Sequence, residues 1–177
     1  MASDKTFTEF IAGIVTKTTL VGDADPHMRW KPTIVHVDDE LLEVVKKFIS
    51  LYEVRTVAVI DEDERLVGVI RETSVADDVF LHLMPAEFLA GVLGASGMAE
   101  LATRTGARVA KDLMQAPVSV KAGETLKEAF AKMHRNRLYG LPIVDDGMRV
   151  IGYLDMQQIL AVWLKALGQE ESPETSG

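Results

Sequence analysis

The chain has 177 residues, a net charge of −8 and a pI near 5.0, with 47% apolar and 26% charged residues. That balance builds a real core, argues against a disordered chain, and disfavours nucleic-acid or anionic-membrane partners, which need a basic footprint. Cysteine is absent, which excludes a disulfide scaffold, a thiolate zinc site and a cysteine nucleophile.

In chain order, residues 1–27 read as an N-terminal helix and lead-in, with Phe7, Phe10, Ile11 and Ile14 at helical spacing. The start lacks the basic-then-apolar order of a signal peptide, and no apolar run approaches the ~20 residues of a membrane span. A cytoplasmic protein is therefore expected. A first unit covers 28–84. It predicts a strand at 33–37 and a helix with Leu41, Val44, Val45 and Phe48 on one face. A β-branched buried strand at 56–60 comes next, then an acidic turn, a strand at 66–70 and a closing helix from about Ser74. Residues 85–108 form a linker, helical around 86–93, where Gly91, Gly94 and Gly97 weaken a continuous helix. A second unit covers 109–167. Its strand at 118–120 precedes a helix with Leu126, Ala129, Phe130 and Met133 on one face, started by a Thr125–Glu128 capping box. Strands at 141–144 and 150–154 and a closing helix from about Asp155 complete it. Residues 168–177 read as a disordered acidic tail.

The two units are one pattern written twice. A shift of 85 sets Leu41 on Leu126, Glu43 on Glu128 and Lys47 on Lys132; after the helix a shift of 84 sets Asp61 on Asp145, Arg65 on Arg149 and Gly68 on Gly152. The expected fold class is α/β (α+β), two pseudo-symmetric units of order strand-helix-strand-strand-helix. Each sheet has one face covered by its own helices and one left to be buried.

The likeness to a known family sits on three stretches of the second unit. Lys111-Asp112-Leu113-Met114-Gln115-Ala116-Pro117-Val118-Ser119-Val120 resembles the opening of the CBS domain, named after cystathionine β-synthase. Tyr139-Gly140-Leu141-Pro142-Ile143-Val144-Asp145 resembles its central strand, and Val150-Ile151-Gly152-Tyr153-Leu154 its third. The first unit is similar in register, so the whole chain resembles a tandem CBS pair, a Bateman module. The resemblance implies a regulatory or sensing module that is not an enzyme. It implies clefts between the units that bind an adenosine-containing ligand such as AMP, ADP, ATP or S-adenosylmethionine. It also implies a homodimer formed through helices.

On that resemblance the ligand-binding candidates in the first unit are Thr33, Arg55, Thr56, Val57, Arg71 and Ser74. In the second they are Val118, Arg137, Tyr139, Gly140, Leu141, Pro142, Asp155 and Gln158. The family signature after the third strand is Gly, two apolar residues, Ser or Thr, two residues, then Asp. This chain departs from it twice. Arg71 and Asp155 take the hydroxyl position, and Ser74 and Gln158 take that of the ribose-binding Asp. Arg71 reads either as a bidentate phosphate ligand or as a solvated surface residue. Asp155, repulsive to phosphate, reads more simply as a helix N-cap, and Gln158 could reach a ribose hydroxyl. Gly140 would let a flat ring approach the backbone. Lys132, His134, Arg135 and Arg137 read as a solvated helix face or as an anion lip.

Other chemistry is weak. His27, His36, His82 and His134 lack zinc spacing, the acidic run 61–64 lacks a calcium loop, and no nucleophile elbow or phosphate loop is present. A ligand-free interaction or scaffold module of the same fold remains the alternative. Apolar stripes on the closing helices, with Val75, Val79, Phe80 and Leu83 in one and Ile159, Leu160, Trp163 and Leu164 in the other, predict the homodimer seam.

Overall fold

The computed structural model describes residues 17–24, 31–50, 55–102 and 106–169. The Phe7–Ile14 stripe and all of the tail beyond 169 lie outside the described residues. The described residues pack as two units, one drawn from 33–117 and the other from 1–32 together with 118–177.

In the unit 33–117, β1 (Ile34–His36) runs parallel to β2 (Thr56–Ile60), and β2 antiparallel to β3 (Leu66–Arg71). Helices α1 (Leu41–Ser50) and α2 (Glu72–Leu83) complete the strand-helix-strand-strand-helix order. Val35, Val44, Val57, Val59, Ile70, Val75 and Ala110 form the core. Each fully buried valine or isoleucine stabilises the unit by roughly 1.5–3 kcal/mol. All five residues of β2 are buried, which is why Thr56-Val57-Ala58-Val59-Ile60 is continuously small and apolar instead of alternating.

Helix α3 (Ala86–Ala102) continues well past the expected 86–93, with Gly94 at φ +64 interrupting its helical backbone. Only a residue without Cβ adopts that conformation freely. The short α4 (Ala110–Leu113) then docks on the elements that precede it. Leu41 N–H donates to the Arg108 carbonyl at 2.8 Å, and Ala110 N–H to that of Asp39 at 2.8 Å. Gln115 bridges Val69. A Cβ on Gly68 would lie 2.9 Å from the Cβ and Cγ of Met114, so this glycine admits the docking segment.

The other unit repeats the plan. Helix α5 (Leu126–Asn136) is started by the expected capping box: Thr125 Oγ1 accepts from Glu128 N–H, and Glu128 Oε2 accepts from Thr125 N–H at 2.8 Å. β4 (Gly140–Val144) pairs antiparallel with β5 (Val150–Asp155), and α6 (Met156–Gln169) closes the unit. Val120 alone stands where β1 stands in the other copy, bridging Ile143 in parallel. The segment before the first strand docks here: Gly22 N–H donates to the Ala122 carbonyl and Leu126 N–H to that of Thr19. By sequence, 109–117 groups with the second copy. In space this stretch packs with 33–83, and 19–24 packs with 118–169.

The hairpin turns match atom for atom. Asp61 Oδ1 accepts from the N–H of Asp63 and Arg65, and Asp145 Oδ1 from those of Gly147 and Arg149. Glu64 and Met148 take the left-handed conformation, at φ 61 and 65. The acidic run is thus a carboxylate-anchored turn. The outward stripes are narrower than the sequence suggests. Val75 and Ile159, each 5% exposed, point into their own units, because the first turn of each closing helix must cover its sheet. Leu160 and Leu164 do face outward.

Candidate functional site

The repeat gives the molecule two equivalent sheet ends, and they differ. In the unit 33–117 this end is made of the residue before β1, the first residue of β2 and the last of β3. The Thr33 carbonyl accepts from Ala58 N–H at 2.9 Å, and Thr56 sits opposite Arg71. Thr33 and Thr56 are buried. Thr33 Oγ1, Thr56 Oγ1 and Arg71 Nε are all buried without a hydrogen-bond partner. Leaving a buried donor or acceptor unmade costs about 1–3 kcal/mol, so three at one sheet end are a concentrated expense. Of the other candidates here, Val57 belongs to the core and Ser74 is half-buried in the first turn of α2. Arg55 is exposed, with Nη1 donating to Glu72 Oε2 at 2.9 Å.

In the second copy Thr33, Thr56 and Arg71 correspond to Val118, Gly140 and Asp155, and Gly140 sits opposite Asp155 as Thr56 does opposite Arg71. Here the polar groups are tied down. Asp155 Oδ1 accepts from Gln157 N–H at 2.6 Å, and Gln158 Oε1 accepts from Asp155 N–H at 2.7 Å. This reciprocal cap starts α6 and commits the carboxamide oxygen of Gln158. The flat ring over Gly140 is the protein's own. A Cβ at Gly140 would overlap the phenol oxygen of Tyr153 and lie 2.9 Å from its Cε1, and Tyr153 is 3% exposed. The sequence reading passed over Tyr153. The available signal was its pairing with a glycine two residues out of register, where the first copy has Val69 and Thr56.

The remaining candidates in this copy are scattered. Leu141 and Pro142 are buried strand residues, and Val118 is half-buried. The exposed Tyr139 contributes its carbonyl, which accepts from Met156 N–H at 2.8 Å. Arg137 is exposed and ends α5 in a left-handed conformation, φ 54. The basic cluster has mostly structural work: Lys132 Nζ bonds Glu124 Oε1 at 2.6 Å and the Ser119 carbonyl at 2.9 Å, and His134 stacks on Phe130.

A cavity of about 690 Å³ in the unit 33–117 is lined chiefly by Leu41, Leu42, Val45 and Val79, so it is an apolar helix-side groove away from the polar sheet end. No group of three metal-ligating side chains occurs among the described residues. No helix among them is long and apolar enough to cross a membrane.

Two small α+β units, each a short sheet faced by helices and related by an internal repeat, define a tandem-repeat α+β class of protein. The CBS domain family matches residues 21–80 and 110–165, more than half of the chain, and the protein belongs to it. An uncharacterised protein of Methanocaldococcus jannaschii is 27% identical over 137 residues, covering 69% of this chain and 80% of that one. Among solved structures, a CBS domain-containing protein from Thermotoga maritima is similar with a TM-score of 0.64 and 25% identity, covering 89% of this chain and 98% of the other. A CBS domain protein from Pyrobaculum aerophilum, complexed with AMP, has a TM-score of 0.58 and 15% identity, covering 85% and 99%. The CBS domain pair of protein MJ0100, in complex with 5′-methylthioadenosine and S-adenosyl-L-methionine, has a TM-score of 0.56 and 20% identity, covering 86% and 98%.

Proposed function

We propose that this CBS pair is a regulatory module that binds an adenosine-containing ligand at the sheet end formed by Thr33, Thr56 and Arg71. One observation carries the reading: two buried hydroxyls and a buried guanidinium N–H, all unpartnered, at the same end of one sheet. Hydroxyls can donate to or accept from the polar edges of a base or ribose, and a guanidinium suits a phosphate or carboxylate. The adenosyl ligands of the two structural relatives support the choice of class. The test is thermal shift and calorimetry with AMP, ADP, ATP and S-adenosylmethionine. Binding raises stability by RT ln(1 + [L]/Kd), so even weak binding registers at millimolar ligand. Silence from all four removes the reading in favour of a ligand-free interaction module. With binding in hand, Arg71→Ala should weaken AMP roughly 10- to 100-fold, the value of a hydrogen bond to a charged group, and adenosine far less.

We also propose a homodimer, in which a second copy covers outward apolar side chains of the helices. Leu42 and Ile49 on α1 and Leu160 and Leu164 on α6 are all more than half exposed. Exposed apolar surface of this kind is typically resolved by a closed twofold pairing. Light scattering at micromolar concentration should return twice the 19.4 kDa chain mass. A persistent monomer refutes it.

A further inference from the structure

The two equivalent sheet ends are not equivalent binding sites, a conclusion that rests on the proposed ligand reading and deepens it. We infer that Tyr153 is a built-in occupant of the second copy's sheet end, so that each chain takes up one adenosine-type ligand, at Thr33, Thr56 and Arg71 only.

A shift of 84 carries the pair Thr56 and Val69 onto Gly140 and Tyr153. In both copies these residues lie on neighbouring antiparallel strands, two positions out of register: Thr56 faces Arg71 and Ala58 faces Val69, while Gly140 faces Asp155 and Pro142 faces Tyr153. In the first copy both side chains are small, and the Thr56 hydroxyl is left buried without a partner. In the second the small partner has shrunk to glycine and the other has grown to tyrosine. The ring lies against the backbone of Gly140 so closely that no Cβ fits between them. The exchange moves volume from one strand to the next, and the tyrosine is buried by it, at 3% exposure. A diagonal neighbour in an antiparallel pair is within reach of an aromatic side chain, so the contact needs no unusual backbone.

The other two positions change in the same sense. Thr33 becomes Val118, which has no hydroxyl to offer. Arg71 becomes Asp155, whose Oδ1 is engaged by Gln157 N–H and whose N–H is engaged by Gln158. A carboxylate there also repels an anionic ligand. Each group that would recognise a ligand in the first copy is therefore replaced in the second by an apolar, occupied or like-charged one.

The test is stoichiometry by calorimetry with AMP and, in parallel, S-adenosylmethionine. Wild-type protein should take up one equivalent per chain, and Arg71→Ala should weaken all AMP binding at least tenfold. Two equivalents in the wild type, only one of them weakened in Arg71→Ala, overturn the inference while leaving the ligand reading intact; a single equivalent undiminished in Arg71→Ala overturns both. Tyr153→Val, matching the first copy's Val69, should open space for a second, weaker equivalent of S-adenosylmethionine, which has no phosphate for Asp155 to repel, whereas Tyr153→Phe should keep one. A folded Tyr153→Val with one unchanged equivalent also overturns it. A wild type that binds nothing alongside a Tyr153→Val that binds one equivalent supports the occlusion and sinks the first-copy reading. No binding by either sinks both. If Tyr153→Val does not fold, the wild-type and Arg71→Ala titrations still decide.

Discussion

The sheet end at Thr33, Thr56 and Arg71 and the one at Val118, Gly140 and Asp155 share strand register, a hairpin with the same carboxylate anchor, and a bulge after Val59 in one and Ile143 in the other. They differ in how polar groups are satisfied. The first leaves two hydroxyls and a guanidinium N–H buried and unpartnered, at a cost to the free protein. The second ties its carboxylate and carboxamide into a helix cap and lays an aromatic ring against the backbone of Gly140. A duplicated scaffold can thus carry one end with unmet hydrogen-bonding groups and one whose polar groups are capped. The backbone is common to both, so the difference lies in a few side chains.

The strongest break in this comparison is Gly140→Ala. The new methyl overlaps a buried tyrosine ring, and overpacking of this kind costs about 1–3 kcal/mol. Adding Tyr153→Val should recover much of that loss, and a double-mutant cycle in urea measures the coupling. Additive effects would mean the ring moves aside freely. Next in size is Asp155→Ala, which removes the α6 cap and should cost about 1 kcal/mol, while Asp155→Asn should be nearly neutral. Denaturant midpoints separate these outcomes.

Thr56→Val sharpens the contrast from the other side. It removes an unpartnered buried hydroxyl at nearly constant volume, so ligand-free protein should gain up to about 1 kcal/mol, or roughly 2–4 °C in Tm. The same change should weaken AMP. A loss of stability on Thr56→Val would mean the hydroxyl has a partner in solution.

The smallest expected effect concerns pH and is shared by both units. Asp112 is held below the ordinary 3.8 by N–H groups of Arg108 and Val109, and Glu128 below 4.5 by the N–H and hydroxyl of Thr125. A depressed carboxylate pKa contributes stability that is fully present above the ordinary value and is lost as pH falls through the lowered one. Urea midpoints should therefore decline slightly below pH 4.5 on account of Glu128 and below pH 3.8 on account of Asp112. Glu128→Gln should flatten the first part of that decline. Both groups are exposed, so solvent screening keeps the effect small.

Much of the fold was legible because it is written locally. The period of Leu126, Ala129 and Met133, the Thr125–Glu128 box and the buried run of β2 each depend on neighbours in sequence, and the repeat supported one copy by the other. Less of the site was legible. Asp155 as a cap could be argued, since capping reaches only a few residues ahead. Arg71 stood between two readings, because nothing in a linear motif says whether a guanidinium N–H ends up buried.

What the sequence determined by itself is the duplicated strand-helix-strand-strand-helix unit, since periodicity, caps and turn residues act within a few positions of one another. The tertiary structure decided three further things. It set Tyr153 over Gly140, a choice made by antiparallel register across a hairpin. It turned Val75 and Ile159 inward, because a helix face is assigned only once its sheet is present. It docked 19–24 on 118–169 and 109–116 on 33–83, each lead-in finding its hydrogen bonds away from the strand next in the chain. Such pairings join residues far apart in the chain. Local propensity carries no information about them, because the free energy that selects them comes from burial and backbone hydrogen bonds made only in the folded state.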